Sequence, residues 1–390
     1  MSLSADRHIP FNRPLAVGSE LSIIADLIAR SKGNVPAYYT QACQSLLRQA
    51  TASPAVYLTP SCTQSLEMAA LLAGIGPGDE VIMPAFTFVS TANAVVLRGA
   101  TPVFVDIRPD TCNVDASIIS QAITPRTRAI IPVHYAGVAC EMDVIMEVAE
   151  QAGLVVIEDA AHSVFATWRG RSLGSIGQLG AYSFHSTKNL TSGGEGGALL
   201  VNAEVFRQQA DVVRANGTNR DAFMRGEVSC YEWIRPGGNY NMSEVQAAVL
   251  WAQLQQGEAI TESRLAAWQY YYQGLESVCV RAGISLPVVP PDCRHNGHIF
   301  YALMPSASAR NEVMQRLAAA GIEAPSHYEP LHRSPAGRAL GRFHGPDEHT
   351  SRVASTIIRL PIYHDILRDD QDYVIEHFIR AVDTVCRQAH

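Results

Sequence analysis

Long apolar runs, paired cysteines and an excess of positive charge are all missing from this sequence. No apolar stretch approaches the roughly 20 residues that span a bilayer, and residues 1–8 lack the apolar core of a secretory signal. We therefore expect a cytoplasmic protein. The 8 cysteines include no Cys-x-x-Cys pair, which argues against a zinc site and against a disulfide framework. The net charge of -7 argues against a nucleic-acid surface, so an anionic ligand would need locally placed arginines.

The chain is long and apolar enough to form two hydrophobic cores. It has 390 residues, of which 47% are hydrophobic and 17% charged, and chains of this size usually divide into domains. Val- and Ile-rich runs alternate with amphipathic stretches, which predicts an α/β fold with a mostly parallel central sheet flanked by helices. We expect a large domain over residues 1–255 and a smaller α+β domain over residues 256–390.

The apolar runs and the capping signals place the individual elements. Strands are expected at Ala55–Leu58, Val81–Met83, Val103–Ile107, Ala129–Val133, Leu154–Glu158, Gly180–Phe184, Gly197–Val201 and Ile299–Met304, with one more short strand near the C-terminus. Helices are expected at Ser61–Ala73, Thr91–Leu97, Asp115–Ala122, Asp143–Ala152, Glu204–Ala215, Ala309–Ala320 and Gln371–Arg387, with a long helical stretch from Ser243 to about Ser277. Ser61 with Gln64, and Ser243 with Gln246, have the spacing of capping boxes.

A lysine beside a glycine-rich turn has the clearest chemical meaning. Lys188 follows the strand-like Gly180–Phe184 and precedes Gly193–Gly197, which places it at one end of a parallel sheet. An amine there can form a Schiff base with pyridoxal phosphate and then carry protons during transamination. Asp159 follows the apolar run Leu154–Ile157 and can pair with a protonated pyridine nitrogen. A solvated lysine and an aspartate that caps a helix or forms a turn are the alternatives.

Three other patterns do not match the sites that they resemble at first sight. Gly74–Gly78 follows a helix and lacks the G-x-G-x-x-G spacing, so it is not a dinucleotide loop. No Lys-Ser or Lys-Thr follows Gly193–Gly197, so this segment is not a P-loop. Five C-terminal histidines have spacings of no common ligand set, so we predict no metal site: His295, His298, His327, His332 and His344.

Four motifs together resemble one enzyme family. They are Thr59–Thr63, Pro84–Asn93, Val133–Asp143 and Gly217–Arg220. From about Ile9 onward, nearly the whole chain resembles the sugar-nucleotide aminotransferases of the DegT/DnrJ/EryC1/StrS family. The resemblance implies pyridoxal-phosphate fold type I, with pyridoxal 5'-phosphate as the cofactor. Lys188 stands where dehydratase relatives carry histidine, so the chain resembles the transferases.

The resemblance assigns four residues to the cofactor ring. Lys188 would hold the cofactor, and Asp159 would keep its ring nitrogen protonated. His162 and Phe88 would lie against opposite faces of the ring. Without the resemblance, His162 reads as a satisfied core histidine and Phe88 as a packed core aromatic.

The phosphate group needs several donors. Cys62 and Thr63 lie just inside the helix capped by Ser61, where backbone N–H groups are free, and the Thr63 hydroxyl adds another donor. By resemblance, Ser183 supplies a phosphate-binding hydroxyl, and Asn239 reaches the phosphate from the neighbouring subunit. The resemblance therefore implies a homodimer with shared active sites, and the alternative for Asn239 is an ordinary loop position.

Candidates for substrate binding are chosen on two grounds, positive charge and resemblance to the family. Arg220 and Arg225 lie in a polar loop and are candidates for binding the diphosphate of a nucleotide sugar; solvated surface arginines are the alternative. By resemblance, His185, His327 and Tyr328 lie near the sugar and its phosphates.

These residues lead to one leading hypothesis and two alternatives. Within the family, the resemblance is greatest to transaminases that form dTDP-4-amino-4,6-dideoxygalactose, a step of enterobacterial common antigen and lipopolysaccharide biosynthesis. It implies transfer of an amino group from L-glutamate to the 4-keto carbon of a dTDP-4-keto-6-deoxyhexose. The first alternative is a 3-keto-sugar or UDP-sugar aminotransferase. The second is a non-enzymatic regulator or scaffold with the same fold.

Overall fold

The computed structural model describes residues 7–30 and 37–388 of the chain, so residues 1–6 of the N-terminal segment lie outside the described part. The strands are β1 (Ala55–Thr59), β2 (Glu80–Pro84), β3 (Thr101–Val105), β4 (Thr127–Ile130), β5 (Val155–Asp159), β6 (Thr167–Trp168), β7 (Arg171–Ser172), β8 (Leu179–Ser183), β9 (Gly197–Val201), β10 (Cys293–Arg294), β11 (Phe300–Leu303), β12 (Arg342–Phe343) and β13 (Ile357–Leu360). The helices are α1 (Glu20–Arg30), α2 (Tyr38–Thr51), α3 (Cys62–Leu72), α4 (Val89–Val96), α5 (Ile119–Ala122), α6 (Met142–Ala152), α7 (Glu204–Arg214), α8 (Arg220–Met224), α9 (Glu244–Leu254), α10 (Gly257–Arg281), α11 (Ala307–Ala319), α12 (Pro335–Leu340), α13 (Thr350–Thr356) and α14 (Arg368–Gln388).

A central eight-stranded sheet organises the first half of the chain. Its order is β1-β9-β8-β5-β4-β2-β3-β12. β9 is antiparallel to both β1 and β8, and the other neighbouring pairs are parallel. The five residues of β1, β2, β8 and β9 are all buried, as expected for strands covered by helices on both faces. The predicted α/β fold with a mostly parallel sheet is therefore confirmed.

Local capping fixes where the helices next to the sheet begin. Ser61 Oγ accepts a hydrogen bond from Gln64 N at 3.2 Å, while Ser243 and Gln246 form the reciprocal pair of a complete capping box. At Ser61 the described residues thus show the bond from the Gln64 amide to the Ser61 side chain, but not the return bond from the Gln64 side chain that would complete a capping box. The predicted helix at Asp115–Ala122 is also wrong in part, because a 3₁₀ turn at Ala116–Ile118 precedes the short α5.

A second apolar core lies in the C-terminal part. Helices α10, α11 and α14 pack on the two-stranded sheet of β11 and β13. Several segments cross the predicted 255/256 division: Ile9 joins this core and bridges to Ile322, β10 pairs with β6, and β12 extends the central sheet beside β3. The division at that residue remains a prediction. Within the described ranges, none of the helices combines the length and apolar character that crossing a membrane requires.

Candidate active site

One cavity of about 580 Å³ lies where the carboxyl ends of several parallel strands meet, which is where ligands bind in open α/β sheets. Three of the predicted site residues do not line it: Arg220, Arg225 and Asn239. All the others do: Cys62, Thr63, Phe88, Asp159, His162, Ser183, His185, Lys188, His327 and Tyr328. Residues from distant parts of the chain are therefore brought together in one place.

Lys188 lies in a turn that closes on itself after β8. Its backbone N–H donates to His185 O at 2.9 Å, and Ser186 N donates to Gly194 O at 2.8 Å. Gly193 and Gly194 have φ of 87° and 147°, conformations that favour glycine. Burial lowers the pKa of Lys188 to about 8. At pH 7 roughly a tenth of this amine is therefore unprotonated, far more than for a lysine of ordinary pKa, and this free amine can act as a nucleophile or base.

Asp159 ends β5, the strand that pairs with β8. Thr91 Oγ1 donates to its Oδ2 at 2.7 Å, and Ala161 N donates to its Oδ1 at 3.2 Å. Burial raises the pKa of this carboxyl, and these bonds and the nearby Lys188 only partly oppose the shift. A buried carboxylate in this state is stabilised by a cation. The site thus fits the protonated ring nitrogen of pyridoxal 5'-phosphate.

His162 is neutral and held in one tautomer. Ala136 N donates to His162 Nδ1 at 3.2 Å, so the ring proton lies on Nε2, 3.5 Å from the Tyr328 hydroxyl. Burial lowers the pKa of His162 well below its ordinary value. Phe88, by contrast, is 56% exposed at the start of α4. Both side chains line the cavity, and their stacking on a cofactor ring remains a prediction.

The start of α3 provides the donors that a phosphate needs. The first intrahelical bond runs from Ser65 N to Ser61 O, so the amides of Cys62 and Thr63 are free of helical partners. A Cβ on Gly197 would lie 2.5 Å from Cys62 N, so only glycine lets β9 approach this helix end. Ser183 lines the same cavity. This donor set fits a phosphate group.

The predicted substrate residues form two groups, one that lines the cavity and one that lies between α7 and α9, and the first group has several contacts. His327 Nδ1 lies 2.7 Å from the Tyr135 hydroxyl, and the His327 ring stacks on Tyr328 with centroids 3.6 Å apart. Burial lowers the pKa of His327 well below its ordinary value. His185 Nε2 lies 3.6 Å from Glu195 Oε1. His185, His327 and Tyr328 are thus all in contact with neighbouring side chains before any ligand binds.

Arg220, Arg225 and Asn239 are exposed residues of the segment between α7 and α9, which contains the short helix α8 and is here called the exposed loop. Arg225 pairs with Glu227 at 2.7 Å, and Asn239 accepts a bond from Asn241 Nδ2 at 3.1 Å. Within a single subunit these three residues do not line the cavity, so their predicted contacts with cofactor and substrate remain predictions.

Sequence reasoning missed several polar side chains of the cavity, among them Arg264, His298 and Arg359. Arg359 is the single charged residue of the apolar run Ile357–Leu360, and a lone charge in a buried strand is a signal that could have revealed it. His298 was considered only as a metal ligand. Its Nδ1 lies 2.8 Å from Asn189 Oδ1, which ties it to the residue after Lys188.

Comparison with known proteins agrees with this geometry. The model of the "DegT/DnrJ/EryC1/StrS aminotransferase family" matches residues 39–379. The spore coat polysaccharide biosynthesis protein SpsC of Bacillus subtilis is 36% identical over 324 residues, which cover 81% of this chain and 82% of that protein. A protein of Geobacillus stearothermophilus named "Pleiotropic regulatory protein" is 35% identical over 315 residues, 80% of this chain and 81% of that protein.

Solved structures of aminotransferases share the whole fold. DesV of S. venezuelae, solved with a reaction intermediate, is 30% identical with a TM-score of 0.86, covering 97% of this chain and 99% of DesV. The pyridoxamine-phosphate form of Spr1654 from Streptococcus pneumoniae, named as a candidate sugar aminotransferase, is 27% identical with a TM-score of 0.88, covering 98% and 100%. A pyridoxal-phosphate form of Spr1654 superposes with a TM-score of 0.87. The chain therefore belongs to the DegT/DnrJ/EryC1/StrS family of pyridoxal-phosphate-dependent sugar aminotransferases.

Proposed function

We propose that this sugar aminotransferase moves the amino group of L-glutamate to the 4-keto carbon of a dTDP-4-keto-6-deoxyhexose, giving dTDP-4-amino-4,6-dideoxygalactose. One observation carries the chemistry: Lys188, just after β8, and Asp159, at the end of the neighbouring β5, share one cavity. Pyridoxal 5'-phosphate supplies the electron sink when it is bound.

The proposed proton transfers use Lys188 alone. Its lowered pKa of about 8 lets it accept the proton of the donor's α-carbon and later give a proton to the sugar carbon that receives the amino group. Asp159 keeps a proton on the ring nitrogen, and the amides of Cys62 and Thr63 with the hydroxyls of Thr63 and Ser183 bind the phosphate. These roles are supported by the side chains that line the cavity.

The acceptor is proposed from the motifs and from the polar wall of the cavity. His185, His327 and Tyr328 would contact the sugar or its phosphates. The choice of the 4-keto carbon and of dTDP rests on the resemblance of the four sequence motifs. A cytoplasmic location and a place in surface-polysaccharide synthesis remain predictions on the same basis.

A homodimer with shared sites would place the exposed loop at the partner's cavity. Met224, Trp233 and Ile234 are 70%, 77% and 55% exposed on that loop, and exposed large apolar side chains favour burial against another chain. Asn239 would then reach the partner's phosphate, and Arg220 and Arg225 would reach the diphosphate of its substrate.

Two alternatives predict different outcomes. A 3-keto-sugar or UDP-sugar aminotransferase would keep the same lysine and carboxylate. A relative from Geobacillus stearothermophilus is named a pleiotropic regulatory protein. A non-enzymatic regulator would have no chemical need for an amine with a lowered pKa next to a buried carboxylate.

A substrate screen tests the proposal. Purified enzyme is given L-glutamate with dTDP- and UDP-linked 4-keto and 3-keto sugars, and the product configuration is determined by NMR. We expect turnover of the dTDP-4-keto-6-deoxyhexose and an axial amino group at C4, the galacto configuration. Turnover of a 3-keto sugar alone would show that the acceptor is a 3-keto sugar and not the proposed 4-keto sugar. If no amino acid donates its amino group to any of these sugars, the result would favour a non-enzymatic regulator.

A further inference from the structure

A buried amide anchors the residue that follows Lys188. Asn189 is 6% exposed, and its Nδ2 donates to Asn296 O at 2.9 Å. Because a carbonyl can only accept, this bond directs Oδ1 of the same amide towards His298 Nδ1, which lies 2.8 Å away and must carry the ring proton. Both ends of the Asn189 amide therefore bind the segment 296–298, whose two partner residues lie 107 and 109 positions further along the chain.

His298 holds this amide as a neutral donor. The residue is 7% exposed, and burial lowers its pKa well below the ordinary value. A neutral imidazole has a single N–H, and here that N–H is directed at Asn189. The His298 ring also packs on His162, with ring centroids 4.4 Å apart. The orientation of Asn189 therefore depends on a ring that is itself held in place.

The segment 296–298 is fixed from two sides. From the C-terminal core, Arg264 of α10 donates to the carbonyls of residues 297 and 298 at 3.2 and 2.8 Å. Towards the central sheet, Asn296 Nδ2 donates to His162 O at 2.8 Å. The segment thus connects the C-terminal core to the cavity wall, and through Asn189 it reaches the residue next to Lys188.

The backbone around Lys188 decides the directions in which its amine can point. Before the lysine, the turn is closed by the bond from Lys188 N to His185 O. After the lysine, Asn189 is held by its two side-chain bonds. A long side chain on a backbone that is fixed on both sides has fewer orientations to sample, and a reacting amine gains rate from such restriction.

We propose that Asn189 and His298 are positioning residues for Lys188, which fix the backbone after the lysine and so orient its amine for attachment to the cofactor. The inference rests on the proposed function, because it takes Lys188 as the lysine that holds pyridoxal 5'-phosphate. In that attachment the free amine adds to the aldehyde carbon, a C=N bond forms, and the aldehyde oxygen leaves as water with the two amine protons. Asn189 acts without contact to the cofactor, since it does not line the cavity.

Two ligands separate orientation of the lysine from binding of the cofactor. Pyridoxal 5'-phosphate forms the imine, and its rate of attachment to the full chain freed of cofactor is followed by visible absorbance. 4-Deoxypyridoxine 5'-phosphate keeps the ring and the phosphate but has no aldehyde, so its affinity, measured by calorimetry, reports non-covalent binding alone. Asn189→Ala and His298→Leu should each slow attachment roughly 10- to 100-fold and leave the affinity for the analogue within about twofold. Equal losses in both measurements would indicate a general change of the cavity and would overturn the proposal.

Further variants separate positioning from loss of stability. His298→Gln keeps an N–H that can donate to Asn189 Oδ1, so it should recover most of the attachment rate. The double variant Asn189→Ala/His298→Leu should be no slower than the slower single variant, because both changes remove the same bond. Equal rates for His298→Leu and His298→Gln would overturn the proposal even if Asn189→Ala does not fold.

Asn202 offers a matched control. Its Nδ2 donates to the carbonyls of Gly174 and Gly177 at 3.0 and 2.8 Å, and it does not line the cavity. Asn202→Ala should lower the free energy of unfolding and leave the attachment rate unchanged. A rate in Asn202→Ala as low as that in Asn189→Ala would assign the effect to lost stability and contradict the positioning role.

Failure of the proposed function has a different signature. Borohydride fixes the label on the lysine that forms the imine, and a label on a lysine other than Lys188 would overturn both the proposed function and this inference. A label on Lys188 that forms at the wild-type rate in Asn189→Ala would overturn this inference alone. An enzyme that attaches the cofactor as expected but aminates no keto sugar would overturn the proposed function and leave this inference intact.

Discussion

The protonation states of individual residues decide what the cavity can do. Lys188 is partly deprotonated near neutral pH, whereas burial raises the pKa of Asp159. The histidines at 162, 298 and 327 are kept neutral by burial, so they act as hydrogen-bond partners and add no positive charge. An amine and a carboxyl whose environments shift their pKa values in this way are typical of catalytic sites.

The pH at which Lys188 reacts is the first prediction. Burial moves its pKa from 10.5 to about 8, so the free amine forms as pH rises through about 8 rather than about 10.5. The rate of covalent cofactor attachment to the apo-protein, followed by visible absorbance, should rise with a midpoint near pH 8. Borohydride should fix the label on the peptide that contains Lys188, and Lys188→Ala should give no label. A midpoint above 10, or a label on another lysine, would refute the assignment.

Thr91 provides the second prediction at this scale. Its hydroxyl donates to the buried Asp159 carboxylate at 2.7 Å, and a hydrogen bond to a charged group contributes about 1.5–3 kcal/mol. Thr91→Val should weaken cofactor binding roughly 10-fold or more, because the carboxylate loses orientation and stabilisation. Thr91→Ser keeps the hydroxyl and serves as the control in cofactor titrations. Equal affinities for the Val and Ser variants would show that this bond does not support the site.

Strand ends and helix starts are the elements that assemble the site. β5 and β8 deliver Asp159 and Ser183, and α3 begins beside them because β1 leads directly into it. The far edge of the same sheet is completed by the C-terminal part of the chain, where β12 pairs with β3. Asp106 strengthens that junction by accepting bonds from the amides of residues 348–350 at the start of α13.

Glu80 on β2 supplies the prediction at the scale of elements. Its buried carboxylate pairs with Arg342 of β12 at 2.9 Å, and hydrogen bonding from Arg342 lowers the pKa of Glu80 to about 2. Because the folded-state pKa lies below the unfolded value of about 4.5, the stabilisation is complete above pH 4.5 and is lost as pH falls towards 2. Glu80→Gln should lower the free energy of unfolding at pH 7 by on the order of 2 kcal/mol.

Denaturant titrations from pH 7 to pH 3 check this prediction. The difference between wild type and Glu80→Gln should shrink below pH 4.5. Arg128→Gln, which alters an exposed pair with Asp79, should show a far smaller difference at every pH. A constant gap between wild type and Glu80→Gln would rule out titration of Glu80 as its cause.

At the scale of the whole molecule, a single chain forms the cavity, but three residues that are predicted to contact ligands do not line it. Arg220, Arg225 and Asn239 share an exposed loop that also carries Met224, Trp233 and Ile234. A second copy of the chain would bury these apolar side chains and bring the polar ones to a cavity. Assembly and catalysis would then be coupled.

Complementation between two inactive variants measures that coupling. Lys188→Ala removes the amine, and Asn239→Asp places a negative charge beside the partner's phosphate, which should weaken cofactor binding several-fold or more. In a mixed dimer, one of the two sites keeps both native residues, so activity should reappear after the two proteins are unfolded and refolded together. Refolding each variant alone is the control. Mixed dimers that remain inactive would contradict the shared site.

The sequence by itself determined the periodic and local features of this protein. Strand positions followed from buried Val and Ile runs, and the start of α9 followed from Ser243 and Gln246. Lys188, Asp159 and the start of α3 were found because each lies next to a strand end or a glycine-rich turn, where local pattern and chemistry coincide. The family followed from short motifs, which require no knowledge of contacts.

The tertiary structure alone decided which distant residues meet. Arg359 lies 171 positions after Lys188 along the chain, and only the packing of the C-terminal core brings both to one cavity. The pKa values of Lys188 and Asp159 depend on burial by the folded chain, which no local pattern encodes. The same holds for β12, whose two residues have no strand pattern of their own and are ordered by pairing with β3. Long-range packing sets burial, and burial sets the charge states on which the chemistry depends.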